Sequence, residues 1–155
     1  MSRLRPLVLA LLLLAPAARA QDALTDGVRM MTEAAQLFNA GERDEAVFRF
    51  YLGQLRVRAW VAANPDHDPA GPVTAADAVF ATVGPPINGW AYEDLDRVVA
   101  TIDRVLAHDE ANPDPSLPPE AAADARAGLA EYRAYIVENA DALRAERAAA
   151  GLPNR

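Results

Sequence analysis

The sequence predicts an all-α protein: a compact bundle of about five helices that ends in a long C-terminal helix. Three observations predict it. Apolar residues recur at three- and four-residue spacing along most of the chain, Gly, Asn-Pro and Pro-rich segments punctuate those runs, and no stretch reads as a convincing strand. The 155 residues are 52% hydrophobic and 24% charged, with no Cys. That composition suits one domain whose core needs neither disulfides nor a metal.

The chain opens on a leader. Arg3 and Arg5 form a positive n-region, Leu7 to Leu14 an apolar h-region, and Ala18-Arg19-Ala20 an A-x-A cleavage signal. An apolar run that short cannot span a bilayer as a helix, so the pattern is that of a signal peptide cut after Ala20. The expected organisation is a signal peptide over 1–20 and a single helical domain over 21–155. With no Cys to acylate, the cut chain is expected in the periplasm or secreted, with no membrane insertion.

Charge narrows the partners. All 15 basic residues are Arg, and the formal net charge is −7. The leader removes Arg3, Arg5 and Arg19 but no acid, which takes the charge from −7 to −10. Nucleic acid and anionic membrane surfaces need a basic footprint, and neither is expected as a partner. The absence of Cys excludes thiol catalysis and Cys-ligated zinc.

The first helix is predicted from about Ala23 to Ala40, with Met30, Met31, Ala34, Leu37 and Phe38 at helical spacing, and Gly41 ends it. The acidic turn Glu42, Asp44, Glu45 suits the start of the second, which runs to Ala63 and stops at Asn64-Pro65. A third, with Thr74 as N-cap, is expected to end near Val83, where Gly84-Pro85-Pro86 breaks the chain. The fourth, about Glu93 to Asp109, presents Leu95, Val98, Val99, Ile102, Val105 and Leu106 on one face. The last starts near Pro118-Pro119 and runs towards Ala150, with a seam of Ala122, Ala125, Leu129, Tyr132, Ile136, Ala140 and Leu143. Ala63-Asn64-Pro65-Asp66 is echoed at Ala111-Asn112-Pro113-Asp114. Stop chemistry explains that echo, because Asn tolerates a left-handed C-cap and Pro cannot continue a helix.

Ala34, Leu37, Gly41, Ala46, Phe50 and Gly53 fall at the spacing of a tetratricopeptide repeat, and the first hairpin resembles one over about residues 30–65. The resemblance implies two antiparallel helices in close backbone contact at Ala34, Ala46 and Gly53. The early Trp of the repeat is absent, with Met30 in its place, and a second copy is missing. A solenoid groove needs about three repeats.

The second helix is apolar almost all round, apart from a polar stripe of Glu45, Arg49 and Arg56, and is therefore expected to be central. Gln54 and Arg58 fall in the middle of its apolar arc. Either Arg58 is buried and neutralised by a carboxylate from a neighbouring helix, or Gln54 and Arg58, with Tyr51, line a buried polar pocket for an anionic ligand. Asp96 and Asp103 flank the fourth helix as Arg126, Arg133 and Arg144 flank the fifth. Antiparallel packing would align these as ion pairs, or else leave the Arg row open to an acidic partner.

Catalytic signals are weak. His67 and His108 lie at helix ends without diagnostic metal spacing, Ser116 has no G-x-S-x-G elbow, and Asp94 and Asp96 suit a helix start. No cofactor, metal or catalytic residue is assigned. In the segment Gly84 to Tyr92, Trp90 and Tyr92 either plug the bundle end or anchor an interface. The sequence thus points to a non-catalytic exported protein that binds another envelope or secreted protein, as adaptor or as inhibitor. Trp90, Tyr92, Arg126 and Arg133 are its partner-binding candidates. The alternative is a periplasmic small-ligand binder using Tyr51, Gln54 and Arg58.

Overall fold

A computed structural model describes the backbone of residues 15–155 and the side chains from residue 23 onward. The leader expected over 1–20, with its cut after Ala20, lies outside the residues whose side chains are described. The described residues form six α-helices: α1 (Ala15–Ala40), α2 (Arg43–Ala63), α3 (Val73–Ala91), α4 (Leu95–Ala111), α5 (Pro119–Glu138) and α6 (Ala140–Ala149).

α2 sits at the centre, against α1, α3, α4 and α5. Its buried residues (Val47, Phe48, Phe50, Leu52, Leu55 and Trp60 among them) point in every direction around the axis, as a central helix requires. Gly41 ends α1 with φ 89°, a left-handed turn that a side chain resists. The Gly41 N–H donates to the Phe38 carbonyl and the Glu42 N–H to that of Leu37, which closes the helix in a Schellman pattern. α1 and α2 then pack with almost no side chain between them. A Cβ on Gly53 would stand 2.7 Å from the Gly27 carbonyl oxygen, and one on Gly27 would stand 2.9 Å from that of Gly53.

Three boundaries differ from the sequence expectation. α3 starts at Val73, with Pro72 rather than Thr74 as its N-cap. Gly84-Pro85-Pro86 does not break α3, which runs on to Ala91. Ala76, Gly84, Ile87 and Ala91 keep one helical face against the core, and this leaves Pro85 and Pro86 on the exposed face. Ala81 and Thr82, whose carbonyls lose their backbone donors to the two prolines, are themselves exposed residues. Gly84, just before Pro85, has no Cβ to clash with the ring. Its bare Cα also lets Phe50 close in, since a Cβ there would lie 3.3 Å from the Phe50 ring.

The long C-terminal helix divides at Asn139, so the described residues form six helices where about five are expected. The mechanism is the one that ends α2 and α4. Asn64, Asn112 and Asn139 each donate a side-chain amide N–H to the carbonyl four residues back, at 2.7, 2.9 and 2.8 Å. All three keep negative φ, so the expected left-handed Asn cap is not the device used. The amide supplies the stop by competing for the helix's own acceptor.

Candidate functional site

Two arginines on α2, two residues apart and therefore about 200° apart around the helix, meet opposite surroundings. Arg56, expected on the polar stripe, is buried. Its Nε–H donates to Asp109 at 2.9 Å, one terminal nitrogen to Asp114 at 2.9 Å and the other to the Asn112 carbonyl at 2.9 Å. Asp109 also accepts from Arg126 at 2.9 Å. Burial works to raise the Asp114 carboxyl. Hydrogen bonds from the Ser116 hydroxyl and N–H, with the Arg56 guanidinium, outweigh it and hold Asp114 below the ordinary carboxylate value. The network ties α2 to the end of α4, the following loop and α5, and every charge in it is matched.

Arg58 is the reverse case. Its place in the apolar arc suggests burial, and it is exposed instead. Among the described residues it makes no ion pair, hydrogen bond or ring contact, and each other described arginine makes at least one. Gln54, one turn earlier and half-buried, is also without a hydrogen-bond partner among the described residues. Together with Phe80 they form the junction of two adjoining cavities.

The smaller cavity, about 150 Å³, is walled by Tyr51, Asn88, Tyr92, Leu129 and Tyr132. The Tyr51 hydroxyl donates to Asn88 Oδ1 at 3.2 Å, and the hydroxyls of Tyr92 and Tyr132 share a hydrogen bond. Burial first, then the neighbouring phenols, pushes Tyr51 and Tyr92 well above the usual phenol range. At neutral pH those two walls, like ordinary phenols, are uncharged hydrogen-bonding groups. The larger cavity, about 430 Å³, is lined by Met31, Val57, Val61, Val73 and Ala76, with Asp77 on its α3 side. Phe80, 46% exposed, divides the two and stacks on Phe50 at 6.0 Å between ring centroids. The site is an open groove, not the buried pocket the sequence suggested.

The candidates are placed as follows. Tyr51, Gln54 and Arg58 meet in the groove, and Tyr92 joins them at the end of α3. Trp90 stands apart, half-buried, edge-on to Phe38 at 6.4 Å and with the Arg97 guanidinium 4.2 Å from its ring centre. Arg126 is held by Asp109 and Arg133 by both oxygens of Asp103, at 2.6 and 3.0 Å. Arg144 reaches Asp96 at 3.3 Å, which completes the antiparallel row. Asp94 caps α4 by accepting the Arg97 N–H at 3.1 Å. His67 lies against Trp60 and His108 against Phe48. No group of three or more His, Asp or Glu among the described residues is placed to hold a metal.

Phe80, Asn88 and Tyr132 do not stand out as site residues in the sequence. A signal for the first two is present: Phe80, Gly84 and Asn88 follow one another at four-residue steps, but only if the helix continues through Pro85-Pro86. No family model matches the chain, and neither a curated protein nor a solved structure matches it.

Proposed function

We propose that the chain is a non-catalytic exported protein that binds a small molecule in the groove beside α2. The observation that carries this reading is the unpartnered Arg58, with Gln54 beside it, where an apolar cavity meets a tyrosine-walled one. A groove of this size with a few convergent polar groups has the make-up of a ligand site. The leader pattern supports export, and the close Gly27–Gly53 crossing supports a tetratricopeptide-like hairpin as the frame that holds α2.

A second reading, an envelope adaptor or small inhibitor, draws on the aromatics near the groove. Phe80, Tyr132 and Tyr135 are 46%, 41% and 51% exposed, and such side chains suit a protein partner. Against it, Trp90, Arg126 and Arg133 are engaged within the molecule. Native mass spectrometry of protein taken from its own envelope fraction separates the two. The small-ligand reading predicts a low-mass adduct that is lost from Val73→Trp, which fills the larger cavity. A stoichiometric protein partner, retained by that variant, would overturn it.

A further inference from the structure

The groove's chemistry narrows its occupant. We infer that the ligand is an amphipathic monocarboxylate: its carboxylate at Arg58 and Gln54, its aliphatic chain in the cavity between α2 and α3. The assignment rests on the small-ligand reading, and three features of the molecule point to it.

The first is charge. Apart from Arg58, each described arginine has an ion pair, a hydrogen bond or a ring contact, in a chain whose net charge is −7. A free guanidinium at a cavity junction offers the paired N–H donors that a carboxylate accepts best, and Gln54 adds one more donor on the same helix face. The second is division of polarity. The larger cavity is walled by Met31, Val57, Val61, Val73 and Ala76, which offer nothing to a polar group and suit an alkyl chain. The third is the neutral hydroxyl wall. Tyr51 and Tyr92 wall the smaller cavity, and phenols are un-ionised at neutral pH, so it adds no negative charge to repel the anion.

Asp77, exposed on the α3 side, is the one acidic residue lining the groove. It borders only the alkyl end, while Arg58 borders both cavities. A ligand with a single negative head therefore fits better than one with a dianionic tail end. Asp77→Asn should leave carboxylate binding intact or tighten it slightly.

Isothermal titration of the purified protein with decanoate, decanol, decyltrimethylammonium and acetate tests the assignment. Decanoate should bind one to one, more tightly than decanol, while acetate and the cation should not bind. Arg58→Met should weaken decanoate by about 10- to 100-fold, the usual worth of hydrogen bonds to a charged group. It should not alter decanol binding. Arg58 is exposed and unpartnered, so this variant keeps the wild-type unfolding midpoint, and Arg58→Lys should recover part of the loss. If decanol and decanoate bind alike and Arg58→Met changes neither, the carboxylate assignment falls while the groove stands. If no probe binds, or binding survives in Val73→Trp, the groove reading itself falls.

Discussion

Arg56 and Arg58 are the same residue on the same helix, and their two sides of α2 do different work. On the Arg56 side each guanidinium nitrogen has an acceptor: two carboxylates and a carbonyl, all at 2.9 Å. On the Arg58 side the guanidinium, the Gln54 amide and two cavities are left open. The difference teaches that burial of a charge follows the partners available, and partners come from distant chain. Asp109 and Asp114 lie 53 and 58 residues beyond Arg56. A saturated arginine holds structure together, and an unsaturated one beside a cavity is available for a ligand.

The contrast can be broken most severely at Arg56. Arg56→Met leaves Asp109 and Asp114 without their shared cation in a largely dry site, and urea unfolding should show a loss of about 3–5 kcal/mol. Trp90→Ala comes next. The ring fills space between α1 and α3 rather than standing free, so its removal should lower stability by about 2 kcal/mol, less than for a fully buried aromatic. A binding defect with an unchanged melting temperature would instead make Trp90 an interface anchor.

Acid sharpens the same contrast. The Asp114 carboxyl titrates lower in the folded chain than in the unfolded one. The stability it contributes is then complete above about pH 4 and drains away as the pH falls through the folded value. Asp114→Asn should therefore be less stable than wild type at neutral pH and show a flatter loss below about pH 4, read from melting temperatures across that range. Alkali acts on the opposite side of α2. Tyr51 and Tyr92 gain protection while neutral, so stability is complete below the ordinary phenol value and is lost as the pH rises towards theirs. The phenolate absorbance that Tyr51→Phe and Tyr92→Phe remove should appear only as the protein unfolds. The smallest effect belongs to Arg58→Met, which should change stability by no more than about 0.5 kcal/mol, as at an unengaged surface position.

Much of this arrangement is legible in the sequence. The 3-4 spacing of Leu95, Val98, Ile102 and Val105 marks the buried face of α4, and the apolar circumference of α2 marks it as central. The pairing of Asp103 with Arg133, and of Asp96 with Arg144, follows from their spacing on antiparallel helices. The site is legible only in part. Gln54 and Arg58 stand out because they interrupt an apolar arc, but a helical wheel makes that arc look covered and the Arg56 stripe look wet. Which side α3, α4 and α5 cover is a tertiary fact that a single wheel cannot hold. Local rules fail at Pro85-Pro86 for a related reason. Their cost in a helix falls where they and the residues that lose donors lie on an exposed face, and which face is exposed depends on which side of α3 meets Phe50. Asn139 escapes notice because, unlike Asn64 and Asn112, it has no Pro after it to announce the stop.

The most direct measurement is solvent exchange at the arginine side-chain Nε–H groups, followed by NMR on ¹⁵N-arginine-labelled protein. A closed and an open side of α2 predict a slowly exchanging Nε–H at Arg56 and a rapidly exchanging one at Arg58, with only the latter becoming protected when decanoate is added. Protection of Arg58 in the ligand-free protein, or equal exchange at the two sites, would contradict that division.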